Sequence, residues 1–310
     1  CPRPWGRPWG TMNHMCPADE QEVPVEPNQS QLAGNGQLAS GGGSGTVEWA
    51  YVSDPGSSRD NNEDYAGALA PEDSEAVPLF VVADGMGGHA AGEFASRLAV
   101  ETVLASWQSG GSGAAHQRLR SAVRAANVAV FDAGQDAERR GMGSTLTALA
   151  IAGREALIAH AGDSRAYLVR GGQASQLTAD HSRVGEMLRM RLITAEQAAR
   201  HPARSMLTRS LGTDPMLQID LTRQPAEVGD TYVLCSDGLW DLVARGEIAT
   251  IAAGGPDEGD AASRPPSEAA AALVELALKR DAPDNVTAAV IRLVAHGPGL
   301  SRRSFWRRGA

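Results

Sequence analysis

The order of the predicted elements indicates an α+β protein with mostly antiparallel sheets. Two amphipathic helices are predicted early in the chain and one late, and many short strands lie between them. In the helices, apolar residues recur three or four positions apart, whereas the strands are short apolar runs bounded by turn residues. The chain has 310 residues, of which 42% are hydrophobic, so it can bury the core of one large domain.

Each element follows from its local pattern. The predicted strands lie, in chain order, at 47–53, 79–83, 144–151, 156–160, 165–169, 174–177, 217–221, 231–236 and 286–294. The predicted helices lie at 91–107, 115–131 and 267–279. Residues 183–207 interrupt the strands with short helical patterns, and a helix start is predicted at Thr194. We interpret 183–207 as an inserted, lid-like segment.

Composition divides the chain into one domain and two tails. Residues 1–45 are rich in Pro, Gly, Ser, Gln and Asn, which predicts a disordered tail with order beginning at Thr46. The predicted domain covers 46–296, and 297–310 form a basic C-terminal tail. No run approaches the ~20 apolar residues of a membrane span. Because the N-terminal residues also lack the apolar stretch of a signal peptide, we expect a cytoplasmic protein.

Charge and cysteine content exclude several classes of protein. The net charge of −9 argues against nucleic-acid binding, which requires a basic face. The three cysteines, Cys1, Cys16 and Cys235, form neither a disulfide framework nor a zinc-binding spacing. Because Cys235 lies within an apolar run, we expect it to be a small buried hydrophobic residue.

Aspartates occur at the edges of three predicted strands, at Asp84, Asp237 and Asp284. Carboxylates that converge repel one another unless a cation lies among them, so a divalent metal site is the first hypothesis. We expect the glycine after Asp84 to turn the backbone sharply, so that the Gly85 carbonyl can face the same cation. The alternative is that each Asp-Gly pair is an ordinary turn.

Two further segments carry charged residues close together. Arg59 is followed by Glu63 and Asp64, and this pattern fits an arginine that binds a phosphate beside acids that bind metal. A surface cluster of salt bridges is the alternative. Asp163 lies in a Gly-Asp-Ser sequence, which is either a tight turn or a further metal carboxylate. The segment 141–145 lacks the Lys of a nucleotide-binding P-loop.

Taken together, these motifs resemble the metal-dependent PP2C-type (PPM) protein Ser/Thr phosphatases in their bacterial form. The matching stretches are Ser53-Asp54-Pro55-Gly56 with Arg59, Asn61-Asn62-Glu63-Asp64, 81–93, Gly143-Ser144-Thr145, 161–167, 177–182, 236–241 and 283–287. They stand in the order of the family over about residues 46–295. The resemblance implies a four-layer α-β-β-α sandwich of two antiparallel sheets flanked by helix pairs, in which 183–207 is the flap near the substrate entrance.

The resemblance also implies a metal site of two Mn²⁺ or Mg²⁺ ions, and possibly a third. The implied ligands are Glu63, Asp64, Asp84, Gly85, Asp163, Asp237 and Asp284. Asp84 would bridge the two ions and the Gly85 carbonyl would bind one of them. Asp163, together with Asp237, matches the acids that hold a third ion. Arg59 matches the phosphate-binding arginine.

The implied activity is the hydrolysis of phosphoserine and phosphothreonine in proteins by a bridging metal-bound hydroxide, in opposition to a protein kinase. The partners would be phosphorylated proteins, and we expect a monomer. Animal members carry a histidine directly after Asp-Gly, where this chain has Met86. His89 or a metal-bound water would then be the general acid. The alternatives are a pseudo-phosphatase that binds phosphoproteins and a hydrolase of small phosphoesters.

Overall fold

The computed structural model describes the backbone of residues 32–33 and 38–42, and the full structure of 46–70, 77–88, 90–110, 113–254 and 264–296. Within these residues, two antiparallel sheets pack face to face, and helices cover the outer surface of each sheet. The predicted α+β class and the four-layer α-β-β-α arrangement are therefore confirmed.

The chain alternates between groups of strands and groups of helices. The strands are β1 (Leu32–Ala33), β2 (Leu38–Gly42), β3 (Val47–Asp54), β4 (Asp64–Leu69), β5 (Leu79–Met86), β6 (Gly143–Ser144), β7 (Leu146–Ala152), β8 (Glu155–Ala161), β9 (Arg165–Arg170), β10 (Gln173–Gln176), β11 (Asp220–Pro225), β12 (Thr231–Cys235) and β13 (Val286–Leu293). The α-helices are α1 (Ala90–Ser109), α2 (Ala115–Ala133), α3 (Arg183–Arg189), α4 (Ala195–Ala199), α5 (Asp237–Trp240), α6 (Arg245–Ala253) and α7 (Pro266–Leu278).

The two sheets combine strands from distant parts of the chain. The first has the spatial order β1-β4-β5-β7-β8-β11, with β6 paired to the end of β5. The second has the order β10-β9-β12-β13-β3-β2. Because β13 pairs with both β12 and β3, the last strand joins the beginning of the domain to its C-terminal third.

Three apolar layers hold the sandwich together. Between the sheets, the rings of Trp49 and Phe80 pack with their centroids 5.8 Å apart. Helices α1 and α2 cover the outer face of the first sheet, and α6 and α7 cover that of the second. Each fully buried large side chain contributes roughly 1.5–3 kcal/mol to the free energy of unfolding. None of the helices in the described part of the chain combines the length and the apolar composition of a membrane span.

The predicted helices α1, α2 and α7 are found within two residues of their predicted ends. The strand predicted at 217–221 begins at Asp220 instead. Residues 217–219 form no regular element, and turns precede them at 212–213 and 215–216, where Asn127 Nδ2 donates to the Asp214 carbonyl at 2.8 Å. The N–H of Met216 also donates to the Asp214 side chain, at 2.8 Å.

Strand β4 and helix α6 have no counterpart among the predicted elements. Every residue of β4 except Leu69 is buried, but its sequence, DYAGAL, consists largely of Asp, Gly and Ala, which are depleted in strands, so no run of large apolar residues marks it. Helix α6 is short and has Gly246 as its second residue, which weakens the helical pattern. The helix is stabilised at its start by Glu247, whose Oε2 accepts a hydrogen bond from the N–H of Ala244 at 2.9 Å.

The prediction that order begins at Thr46 is wrong for two segments. Strand β1 pairs with β4, and β2 pairs with β3 at the edge of the second sheet. Pairing at a sheet edge uses main-chain hydrogen bonds, so a segment with few apolar side chains can still form a strand. The rest of 1–45 and the tail predicted at 297–310 lie outside the described residues.

The lid-like segment 183–207 contains α3 and α4. The helix start predicted at Thr194 is confirmed, since its Oγ1 accepts from the N–H of Gln197 at 3.3 Å in a capping box. The segment is closed at its base, where Ser182 pairs with Leu207 and the N–H of Thr208 donates to the His181 carbonyl at 2.8 Å. It is therefore an excursion that leaves and rejoins the domain at one place.

Candidate metal centre

Six of the seven predicted ligands line one open cavity of about 450 Å³, together with Arg59. These six are Glu63, Asp84, Gly85, Asp163, Asp237 and Asp284. The seventh, Asp64, lies behind the cavity wall with 1% of its surface exposed. The cavity lies where β3, β5, β8 and β12 end and where β4, β9 and β13 begin. Both sheets therefore contribute acids to the same edge of the sandwich.

The pairing of β4 with β5 brings two of the acids together. Asp64 is directly opposite Asp84 in the register of these antiparallel strands. Like charges in opposed positions of a sheet repel each other. Thr145 fixes Asp84 from the other side, since its Oγ1 accepts from the N–H of Asp84 at 2.9 Å and its own N–H donates to the Asp84 carbonyl at 2.8 Å. The backbone therefore holds these two carboxylates close together.

The carboxylate of Asp64 is only half satisfied. Ser236 Oγ donates to Asp64 Oδ2 at 2.6 Å and accepts from the N–H of Thr287 at 3.0 Å. Asp64 Oδ1 is buried and has no hydrogen-bond partner among the described residues. A buried polar oxygen without a partner is costly, and a cation or a proton removes that cost.

Gly85 is required for a reason other than the predicted turn. Strand β5 continues through Asp84 and Gly85 to Met86, so the prediction that the backbone turns sharply after Asp84 is wrong. A Cβ atom on Gly85 would overlap the carbonyl of Gly92 in α1. The glycine therefore permits close contact between helix and strand. The turn comes at Gly87 and Gly88, which have φ angles of +134° and +83°.

Asn285 joins the loop of Arg59 to the second sheet. Its Oδ1 accepts from the N–H of Glu63 at 2.8 Å, and its Nδ2 donates to the Asn61 carbonyl at 2.9 Å. Next to it, Asp284 Oδ2 pairs with Arg59 Nη2 at 2.9 Å. The Arg59 side chain is half exposed, so both its predicted role and the salt-bridge alternative are compatible with its position.

Asp163 is held in place by its contact with Trp240, whose Nε1 donates to the Asp163 carbonyl at 3.0 Å. The Trp240 ring is itself packed against Arg165, whose guanidinium lies 3.4 Å from the ring centre. Arg165 also forms two hydrogen bonds to the Asp180 carboxylate, at 3.0 and 2.6 Å. Asp163 is buried, with 7% of its surface exposed. The chain bends at Gly162 and Asp163, and Asp163 lines the cavity, so its position is compatible with both alternatives.

Burial raises the pKa of four carboxyl groups in and behind the cavity. They are Asp64, Asp84, Asp163 and Asp237. Repulsion between neighbouring aspartates raises the pKa of each further; for Asp84 it comes first from Asp64 and then from Asp237. A divalent cation would lower these pKa values again, because an opposite charge favours the ionised carboxylate.

The residues of the cavity fit hard divalent cations. All the predicted ligands are carboxylate or carbonyl oxygens, which Mg²⁺ and Mn²⁺ prefer. In the described part of the chain, no three Asp, Glu, His or Cys side chains are already arranged as a closed metal-binding cluster. The fit therefore rests on the converging acids, their mutual repulsion and the unpartnered Asp64 oxygen.

The sequence also singled out His89, Met86 and Cys235, which are not among the predicted metal ligands. His89 lies outside the described residues, and Met86 lines the cavity. Cys235 is fully buried in the layer between the second sheet and its helices, as predicted. Burial raises the pKa of its thiol to about 12, so it is not a reactive nucleophile.

Three supporting residues have no role assigned from the sequence. Thr145 holds Asp84, Ser236 holds Asp64, and Asn285 holds the loop that carries Glu63. The signal that identifies them is a polar residue inside or beside an apolar strand, since a buried polar group must find a partner. Their partners are distant in sequence, so only the fold reveals the pairs.

Comparisons with known proteins agree with this geometry. The family described as "Protein phosphatase 2C" matches residues 57–286. The chain is 40% identical over 259 residues to the serine/threonine protein phosphatase PstP of Mycobacterium tuberculosis. The aligned residues make up 83% of this chain and 47% of PstP. The chain thus spans about half the length of that relative. It is 34% identical over 250 residues to protein phosphatase PhpP of Streptococcus pneumoniae, covering 80% of this chain and 98% of PhpP.

A solved structure extends the similarity to three dimensions. The crystal structure of the catalytic domain of PstP in complex with two manganese ions superposes with a TM-score of 0.69 at 36% identity, and covers 84% of this chain and 100% of that one. The family match includes the acids of the cavity from Glu63 to Asp284. The chain therefore belongs to the protein phosphatase 2C family.

Proposed function

We propose that this protein is a metal-dependent protein serine/threonine phosphatase that removes phosphate from phosphoserine and phosphothreonine. The observation that carries the proposal is the cavity in which converging acids lie beside one arginine, Arg59. The PP2C relatives, which are named serine/threonine or protein phosphatases, support the same activity. The domain would span 46–296 together with the edge strands β1 and β2, with 183–207 as its flap.

The proposed cofactors are two Mn²⁺ or Mg²⁺ ions. The ligands would be the six predicted ligands that line the cavity, with Asp64 as a buried supporting acid. Asp163 together with Asp237 would hold a third ion. The PstP complex with two manganese ions supports this number and type of metal. Divalent cations, when bound, lower the pKa of coordinated water and so supply a nucleophile at neutral pH.

Arg59 would bind and orient the phosphate. Its guanidinium lies at the rim of the cavity, and its contact with Asp284 holds it beside the acids. A guanidinium can form two parallel hydrogen bonds to phosphate oxygens and offset the charge that develops in the transition state. The group that protonates the leaving oxygen is either His89 or a water molecule. Met86 cannot supply that proton, because a thioether carries none.

The cellular setting stays a prediction. A cytoplasmic location, a monomeric state and a signalling role opposite a protein kinase are expected from the sequence. A pseudo-phosphatase is disfavoured because all seven predicted acids and carbonyls of the motif are present. A hydrolase of small phosphoesters is disfavoured because the relatives are named protein phosphatases.

The purified chain should release phosphate from a phosphothreonine peptide in the presence of Mn²⁺. EDTA should stop the release, and excess Mn²⁺ should restore it, because the acids require a cation to assemble the site. Phosphate release is measured over time with the peptide and with p-nitrophenyl phosphate. Peptide binding without phosphate release would indicate a pseudo-phosphatase, and a higher kcat/KM on the small ester would indicate a hydrolase of small phosphoesters.

Arg59→Ala should raise KM for a phosphopeptide by at least about tenfold, because the loss of even one charge-assisted hydrogen bond has an effect of that size. The rise in KM should be smaller in Arg59→Lys, because lysine keeps the positive charge but cannot form the two parallel hydrogen bonds of a guanidinium. Arg124→Ala, which removes an exposed arginine from α2, serves as the control and should leave KM unchanged. An unaltered KM in Arg59→Ala would remove the proposed role of this residue.

A further inference from the structure

A second and larger cavity adjoins the metal centre. It has a volume of about 1160 Å³ and shares Arg59, Asp163, Asp237 and Asp284 with the first cavity. Its walls come from α3 and α4 of the segment 183–207 on one side, and from α5 and the start of α6 on the other. We call this cavity the flap groove. A peptide whose phosphorylated residue enters the metal centre would lie along it.

Most charges of the flap groove are already paired. Its arginines are Arg59, Arg165, Arg189, Arg204 and Arg245, and its acids are Asp163, Asp180, Asp237, Asp241 and Asp284. The salt bridges are Arg165–Asp180 at 2.6 Å, Arg204–Asp241 at 2.9 Å and Arg59–Asp284 at 2.9 Å. Asp163 and Asp237 belong to the metal centre. Arg189 and Arg245 are then left with no carboxylate partner among the described residues.

The two remaining arginines contact the same short segment, which lies at the end of β10 and just after it. Arg189 Nη1 donates to the Asp180 carbonyl at 2.6 Å, and Arg245 Nη2 donates to Gln176 Oε1 at 3.4 Å. Both acceptors are neutral oxygens, so neither contact neutralises a guanidinium. The Asp180 carboxylate does not do so either, because Arg165 and Gln176 Nε2 already donate to it. Two positive charges, one from α3 and one from the start of α6, thus lie against the segment 176–180.

We propose that Arg189 and Arg245 bind an anionic side chain of the substrate, so that the enzyme prefers phosphoproteins with a second anionic residue close to the one it dephosphorylates. This inference rests on the proposed phosphatase function. Guanidinium groups bind carboxylate and phosphate oxygens with charge-assisted hydrogen bonds. The second anion is either an acidic residue or another phosphorylated residue, since the two share this chemistry.

The test compares phosphothreonine peptides that differ at one flanking position at a time. In each set that position holds alanine, glutamate or phosphoserine, and positions on both sides of the phosphothreonine are scanned. We expect kcat/KM to be about fivefold higher for the best anionic peptide than for its alanine counterpart, which is in the range of one or two exposed ion pairs. The preference should weaken as NaCl is raised, because both arginines are exposed. The ratio of kcat/KM for the glutamate peptide to kcat/KM for the phosphoserine peptide shows which of the two anions the arginines prefer.

The double variant Arg189→Ala/Arg245→Ala should lose this preference and treat the anionic and alanine peptides alike. Arg183→Ala removes an exposed arginine from the same helix as Arg189, outside the groove, and should keep the preference. Hydrolysis of p-nitrophenyl phosphate should be equal in all of these proteins, because the small ester does not occupy the groove.

A binding measurement separates this inference from the proposed function. Fluorescence anisotropy of the labelled peptides reports affinity whether or not phosphate is released. Tighter binding of anionic peptides that disappears in the double variant supports the inference. Equal affinity and equal kcat/KM for anionic and alanine peptides in the wild-type protein would overturn it. Failure of the proposed function would appear differently, as no phosphate release from any peptide.

Discussion

Asp84→Asn should abolish metal-dependent phosphate release from a phosphothreonine peptide, and Asp237→Ala should do the same. We expect losses in kcat/KM on the order of 10³-fold or more, equivalent to at least about 4 kcal/mol of transition-state stabilisation. Asp84 is the central acid of the cavity, fixed on one side by Thr145 and opposed on the other by Asp64. An amide of the same shape keeps these contacts but removes the charge that holds a cation.

The measurement is initial-rate kinetics across a titration of Mn²⁺, with far-ultraviolet circular dichroism to establish that each variant is folded. Asp132→Asn provides the matched control, because Asp132 lies exposed on α2 and does not line the cavity. It should have wild-type rates. Wild-type rates in Asp84→Asn would instead refute the assignment of the metal centre.

Asp64→Asn should raise the melting temperature of the metal-free protein and reduce the further rise that Mn²⁺ produces. Asp64 is buried, opposes Asp84 and leaves one oxygen unpartnered, so its charge destabilises the protein until a cation is bound. Removing a repulsion of about 1–3 kcal/mol corresponds to roughly 2–12 °C in a domain of this size. In the wild-type protein, Mn²⁺ should produce a rise of similar size.

A second buried aspartate provides the control for this prediction. Asp230 is also buried but is paired with Arg170 at 2.6 Å and does not line the cavity. Asp230→Asn should lower the melting temperature and leave the Mn²⁺-induced rise intact. Thermal unfolding is followed with EDTA and with Mn²⁺ for all three proteins. A lower melting temperature for metal-free Asp64→Asn would show that the hydrogen bond from Ser236 stabilises the carboxylate more than Asp84 destabilises it.

In the metal centre, the arrangement that favours cation binding lowers the stability of the metal-free protein. The fold places acids where they repel each other, and the strand pairing of β4 with β5 prevents them from moving apart. Such an arrangement costs stability in the metal-free protein and is useful only if cations bind there. The same residues should therefore be unfavourable for folding and necessary for activity.

The local patterns that predict the fold correctly are helical periods and continuous apolar runs. The amphipathic helices α1 and α2 and the apolar strands β5, β12 and β13 are found close to their predicted positions. Strand β4 escapes prediction because its sequence, DYAGAL, consists largely of Asp, Gly and Ala, which are depleted in strands, and so contains no run of large apolar residues. Strands β1 and β2 escape it because their pairing uses the main chain, which the side-chain pattern does not report.

The sequence by itself determined which residues are the candidates for the chemistry. The motifs name the acids, Gly85 and Arg59, because carboxylates beside apolar strands and an arginine beside acids are recognisable without a structure. Only the tertiary structure decided how these residues are arranged. It brought six of the predicted ligands to one cavity, set Asp64 behind it, and showed that Gly85 is needed for contact with α1. It also left Arg189 and Arg245 without acidic partners among the described residues of the flap groove. These outcomes depend on pairing between distant segments, and neighbouring residues in a sequence carry no information about that pairing.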